Sequence, residues 1–248
     1  MPRTRPSGPR FPAVIINDDG VEALPFLLKA LYHLRGLVTP IAFFLPDRDR
    51  SGCGGYIRTR GEPIPFHEVD TPLTNVPVYV VDGYPAEIAY LVKVRYKPTR
   101  ARVVSINRGH NFGTFIFNSG CVMGAVQANW LGFASLALNW PEKEMPGPAD
   151  GAVLASLVTR LWTSPEEDMR SSLWCVNFPT KYSTPQRLVQ VGLSRVLPVT
   201  YTKVQMGEFR LMDRSLEIGP GDAHDVLERG VATAVPLNSA TFTMQGSY

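Results

Sequence analysis

The chain has 248 residues, 44% apolar and 19% charged, with a net charge of +3. That excludes intrinsic disorder, and the weak charge with no dense Lys/Arg block argues against a nucleic-acid polymer as partner. No stretch reaches the ~18 apolar residues of a membrane span, and three scattered cysteines without a CxxC pair point to the cytoplasm rather than a disulfide framework.

Residues 1–10 read as a disordered basic tail, because no apolar run follows that would make them a signal peptide. Val14, Ile15 and Ile16 form a short, wholly apolar run, as expected of a strand covered on both faces. Val21, Leu24, Leu27, Leu28 and Leu31 then mark one face of a helix, with Pro25 in its first turn. "LVTPIAFFL" predicts a second strand, regular only after Pro40. A Gly-rich charged loop follows, and then the strand "VPVYVV" and a helix through Ala86, Ala89, Tyr90 and Val94. "ARVVSI" predicts the next strand. After it come the loop "NRGHNFGTFIFNSG" and a helix with Val122, Ala125, Val126 and Trp130 on one side. "FASLAL", a helix through Val153, Leu154, Leu157, Val158 and Leu161, and "LWCVNFP" complete the series.

This alternation predicts an α/β fold, a Rossmann-like, mostly parallel sheet flanked by helices. From about residue 181 short β-like pieces dominate, with one short helix near residues 225–228. Residues 11–248 are therefore expected to form a single domain whose last part, 181–248, is an antiparallel β extension.

In such a sheet, ligands bind outside the carboxyl ends of the strands. Three loops there are chemically rich: one holds Asp18 and Asp19, one Ser51, and one Asn107, Asn111 and Ser119. Adjacent buried carboxylates repel unless a cation lies between them. Asp18, Asp19, the Ser51 hydroxyl and the Asn107 amide oxygen suit a hard divalent ion such as Mg²⁺ or Mn²⁺. "NDDG" is equally a turn in which an Asp caps the following helix, and the two readings are compatible. The Ser119-Gly120 turn is either a phosphate cradle at a helix N-terminus or a plain N-cap.

Taken together, "NDDG", "PDRDRSG", "GYPAEIAYL", "SINRGHNFG", "NSGCVMGA", "LGFASLAL", "VNFP" and "ERGVATAVPL" resemble the SurE family of metal-dependent 5′/3′-nucleotidases, or acid phosphatases. The resemblance spans about residues 11 to 237. It implies metal ligation by Asp18, Asp19, Ser51 and Asn107, and phosphate contacts at Asn111, Ser119, Gly120 and Cys121. It also implies a homodimer or higher homo-oligomer joined through the β extension. Departures from the family pattern fall at Cys121 (usually Thr), Gln127 (usually Glu), and Cys53, Tyr56 and Arg58 (usually small hydroxyl residues). A further one falls at Ala223, with Asp222 beside it, where the family carries Asp.

The expected function is metal-dependent hydrolysis of a small phosphomonoester such as a nucleoside monophosphate, with Asp18 and Asp19 as catalytic residues. Arg58 and His110 are candidates for substrate recognition, His110 being alternatively a solvent-exposed loop residue. Two other readings stay open: a SurE-like metal- and phosphate-binding protein without turnover, and a nucleotide-dependent transferase on the same scaffold. The absence of GxGxxG and Walker motifs weakens the last.

Overall fold

The structure, a computed structural model, describes residues 11–142, 144–163, 173–183, 185–191, 199–205, 208–213 and 223–237. In chain order its elements are β1 (Phe11–Ile16), α1 (Leu24–Leu34), β2 (Val38–Pro46), β3 (Phe66–Val69), β4 (Val78–Val81), α2 (Pro85–Arg95), β5 (Arg102–Arg108) and α3 (Gly120–Trp130). There follow β6 (Ser135–Trp140), α4 (Pro148–Thr163), β7 (Leu173–Asn177), β8 (Leu188–Gln190), β9 (Val199–Gln205), β10 (Glu208–Asp213), α5 (Ala223–Glu228) and β11 (Ala232–Pro236). Short 3-10 turns at Val21–Ala23 and Gly113–Phe117 precede α1 and α3.

Nine strands form one sheet in the order β3-β4-β2-β1-β5-β6-β7-β11-β8. The six from β4 to β7 run parallel to one another. Because side chains alternate across a strand, β1 serves two cores. Ala13 and Ile15 pack with Leu27 and Leu31 of α1 and Leu154 of α4, whereas Val14 and Ile16 pack with Ile88 and Val92 of α2. A third cluster joins Val122, Ala125 and Val126 of α3 to Cys175 of β7 and Val235 of β11. Burial on both faces accounts for the unbroken apolar runs.

The chain steps from β1 to β2 and β4 on one side, then crosses to β5 on the other side of β1. The crevice between the ends of β1 and β5 is therefore the switch point where such sheets bind ligands.

One detail agrees with the sequence reading, the regularity of β2 only after Pro40, and three differ. β2 begins at Val38 and includes Pro40, where the register with β1 shifts between Ala13 and Val14. An irregularity there accommodates a residue without an N–H. β3 is an antiparallel edge strand that its short, polar sequence conceals. Trp130 is 63% exposed at the end of α3, not on the face buried by Val122, Ala125 and Val126. The late segments also do not all stand apart. β11 joins the main sheet antiparallel to β7, β8 pairs parallel to β11, and among the described residues only β9 and β10 form a separate antiparallel pair. The basic tail, Asp222 and the Leu161 side chain lie outside the described residues.

Candidate active site

β1 ends in a closed turn. Asn17 Nδ2 donates to the Gly20 carbonyl at 2.9 Å. Gly20 has φ +85°, and a Cβ there would sit 2.8 Å from the Arg48 carbonyl carbon, so a side chain is excluded both by conformation and by space. The capping role foreseen for "NDDG" is real, but it acts on a helix one hundred residues away. Asp18 Oδ2 accepts the Cys121 N–H at 2.9 Å, in the first turn of α3. The 3-10 turn that follows the motif receives no side-chain cap.

Asp18 is 2% exposed, and its Oδ1 has no hydrogen-bond partner among the described residues. Burial, followed by the Asp19 charge, pushes its carboxyl from 3.8 up to about 7. Asp19 is less covered. Burial raises it to about 6, with the Arg108 backbone N–H and guanidinium working in the opposite direction. The Arg108 N–H donates to Asp19 Oδ2 at 3.1 Å, and its Nε lies 3.6 Å from Oδ1. The Arg108 side chain is 42% exposed, so its charge stands at the rim rather than over Asp18.

At the start of α3, Ser119 Oγ accepts the Val122 N–H at 3.1 Å. One donor that the sequence reading offered to phosphate, the Cys121 N–H, is thus taken by Asp18, while Ser119 acts as the N-cap acceptor and keeps its hydroxyl hydrogen. Cys121 is fully buried, with its sulfur 2.8 Å from Ser105 Oγ. Burial holds this thiol well above its usual range, which removes it as a nucleophile.

The second loop reaches the same place through its backbone. The Arg50 N–H donates to the Asp18 carbonyl at 2.7 Å, and the Gly54 N–H to the Asn118 carbonyl at 2.8 Å. The Ser51 hydroxyl donates to Asp49 Oδ1 at 2.6 Å, which leaves its lone pairs available. Gly120 lies where this loop meets Asp18: a Cβ there would be 2.5 Å from Cys53 Sγ and 3.0 Å from Asp18 Oδ2. Gly120→Ala is expected to cost about 1–3 kcal/mol in urea denaturation, as overpacking does. Adding Cys53→Ala should restore part of that stability.

In the third loop Asn107 Nδ2 donates to the Gly109 carbonyl at 2.8 Å, which turns the amide so that Oδ1 is the free atom. Asn111 is clamped by two asparagines that the sequence reading missed. Its N–H donates to Asn177 Oδ1 at 2.8 Å and its Nδ2 to Asn139 Oδ1 at 2.7 Å. Asn107, Asn139 and Asn177 stand in register across β5, β6 and β7. The signal was present, since the runs "VVSIN", "LALN" and "WCVN" each end in Asn. His110 is not the solvent-exposed residue of the alternative reading. It is half-buried, and its Nε2–H donates to the Phe178 carbonyl at 2.6 Å.

Arg58 is also committed. Its Nε and Nη2 each lie 2.9 Å from the Glu87 carboxylate, on α2. Gln127 donates to the Tyr90 hydroxyl at 3.2 Å, and it lies about 10 Å along α3 from Gly120. Among the described residues no three His, Cys, Asp or Glu side chains group as metal ligands. A cation here would therefore need neutral oxygens beside Asp18 and Asp19.

A sequence model of the family described as "Survival protein SurE" matches residues 13–203. The chain belongs to the SurE family. A 5′-nucleotidase SurE from Deinococcus radiodurans is 32% identical over 188 residues, 73% of this chain and 68% of that protein. Another, from Symbiobacterium thermophilum, is 37% identical over 131 residues, 51% of this chain and 50% of the relative. One from Aquifex aeolicus is 34% identical over 134 residues, 51% and 49% of the two chains. The matched part thus spans about half the length of the latter two relatives. The crystal structure of the SurE protein from Aquifex aeolicus superposes with a TM-score of 0.70 over 93% of both chains, at 22% identity. That likeness gives the SurE fold. Among the described residues no helix is long and apolar enough to cross a membrane.

Proposed function

We propose that the protein is a divalent-metal-dependent phosphomonoester hydrolase acting on nucleoside monophosphates. One observation carries this reading: Asp18 holds a buried, unpartnered carboxylate oxygen beside Asp19 at the switch point of the sheet. The SurE relatives named 5′-nucleotidases support the reaction class.

The donor set fits a hard cation, because every available atom is oxygen: Asp18 Oδ1, the Asp19 carboxylate, Asn107 Oδ1 and the Ser51 hydroxyl. A bound Mg²⁺ or Mn²⁺ supplies a Lewis acid for the phosphate oxygens and lowers the pKa of water. The remaining work falls to the chain. Asp18 ties the pocket to α3 through the Cys121 N–H. Asp19, the less covered carboxylate, orients the attacking water. The second amide hydrogen of Asn111 and the Ser119 hydroxyl hydrogen hold the phosphate.

Phosphate release from a nucleotide panel, with Mn²⁺ or Mg²⁺ and with chelator, tests the reading. The expected result is release that chelator stops. A second reading, a binding protein without turnover, rests on the Arg108 guanidinium beside Asp19. Metal binding with no release of phosphate would favour it. The separate β9–β10 pair is read as the segment through which copies of the chain associate, because an isolated hairpin is marginal alone. Light scattering of the full chain checks this, with a dimer or larger as the expected result.

A further inference from the structure

The loop between β2 and β3 carries Tyr56, which pairs with Tyr84 at the N-cap of α2, and the hydrolytic machinery does not use this pair. Tyr56 is 52% exposed, and its ring centroid lies 4.6 Å from that of Tyr84 at an interplanar angle of 60°. Tyr84 is fixed from two other directions. The Arg50 guanidinium lies 4.7 Å from its ring centroid, and its N–H donates to Glu87 Oε2 at 3.0 Å. Arg50 is held in turn by Asp47 at 2.7 Å and Asp82 at 3.1 Å. Tyr84 is therefore a rigid backing, and Tyr56 presents its free surface outward.

A lone exposed tyrosine needs no explanation; the position of this one does. The Tyr56 N–H donates to the Cys53 carbonyl at 3.4 Å, closing a turn that keeps the two Cα atoms within about 7 Å. Cys53 abuts Asp18, since a Cβ on Gly120 would touch both. Gly54 and Gly55, the two central residues of that turn, carry no side chains, and the Met123 side chain packs against Gly55. Arg58, the candidate substrate cation of this loop, contacts Glu87 through its Nε and Nη2.

We propose that Tyr56, backed by Tyr84, is a stacking platform for the planar aromatic group of a phosphate ester, a nucleobase above all. An aromatic face accepts any base without sequence-like selectivity, which gives affinity for the leaving group independent of the phosphate end. The proposal rests on the hydrolase reading, which places the phosphate at Asp18.

Two measurements separate its failure from that of the hydrolase reading. The first is hydrolysis of adenosine 5′-monophosphate, phenyl phosphate and glycerol 2-phosphate with Mn²⁺ by the wild type, Tyr56→Ala and Tyr56→Phe. The second is calorimetric titration of the same proteins with adenosine, which carries the base and no phosphate. Tyr56→Ala is expected to raise KM for the adenosine ester by about 5- to 100-fold relative to glycerol 2-phosphate, and to weaken adenosine by a similar factor. Tyr56→Phe should retain both. A matching loss for phenyl phosphate upholds the platform for any planar group; a loss confined to the adenosine ester upholds it for bases alone. An equal effect on all three esters, or adenosine binding unaltered in Tyr56→Ala or absent in the wild type, overturns it. If the wild type hydrolyses nothing, the hydrolase reading falls and the adenosine titration alone decides the platform.

Discussion

Asp18→Asn is expected to lower metal-dependent turnover by about 10²- to 10⁴-fold while making the metal-free protein more stable at neutral pH. The two effects share one cause. Asparagine keeps an acceptor for the Cys121 N–H but removes a charge that is buried and faces Asp19. The sign of the stability change follows from the titration. In the unfolded chain the carboxyl titrates near ~3.9; in the fold, burial and the Asp19 charge hold it at about 7. Between those values the fold keeps a proton that the unfolded chain has lost. The wild type without metal therefore loses stability as pH rises through that window. Asparagine does not titrate, so the variant's advantage is absent below the window, grows through it and levels off above it. At its full extent the advantage is on the order of 2–4 kcal/mol. Added Mn²⁺ should stabilise the wild type by mass action and leave the variant unmoved. Urea denaturation at about pH 5 and about pH 8, with and without Mn²⁺, measures all of this. A variant no more stable than the wild type at the higher pH, or equal stabilisation of both by Mn²⁺, would count against Asp18 as a buried metal ligand.

What could be read in advance was whatever depends on local pattern. Apolar runs with Gly/Pro punctuation located the six parallel strands and four long helices, because burial on both faces leaves a one-dimensional trace. The positions of Asp18, Asp19 and Asn107 followed from the rule that ligands gather at the carboxyl ends of strands. What could not be read were pairings between distant segments. Nothing in "NDDG" says that Asp18 caps α3, since the cap is completed by the N–H of Cys121. Arg58 looked like a ligand for substrate because its partner, Glu87, lies on another element. β3 was missed because an exposed edge strand has one neighbour and needs no apolar run. The asparagine row across β5, β6 and β7 is an intermediate case. Each residue was visible at the end of its strand, but only the sheet register places them side by side.

Glu87→Ala is expected to destabilise the protein by about 3–5 kcal/mol, as removal of one partner of a buried ion pair does. Glu87 is 1% exposed and accepts from the Arg58 N–H, the Arg58 guanidinium and the Tyr84 N–H. One carboxylate thus caps α2 and ties the second loop to it. Truncation strands a guanidinium and two backbone donors together, whereas Glu87→Gln keeps part of the pattern and should cost less. Burial alone would raise this carboxyl, but the hydrogen bonds from Arg58 and Tyr84 bring it below its usual 4.5. A depressed carboxyl stabilises the fold above its unfolded pKa, and that stability is lost as pH falls through the folded value. The wild type should therefore lose its advantage over both variants in acid, in the opposite direction from the Asp18 effect. Arg58→Ala removes the guanidinium from the same buried carboxylate but leaves it two backbone donors, so its loss of stability should be smaller. A raised KM in that variant would report a loosened loop, not a lost substrate contact. The double variant Arg58→Met/Glu87→Met discriminates, because it removes the charges together and keeps the volume. It should recover the part of the stability lost to the stranded charge, though not that of the two backbone donors, and recovery of KM alongside would assign Arg58 to architecture. If stability returns and KM does not, Arg58 touches the substrate after all.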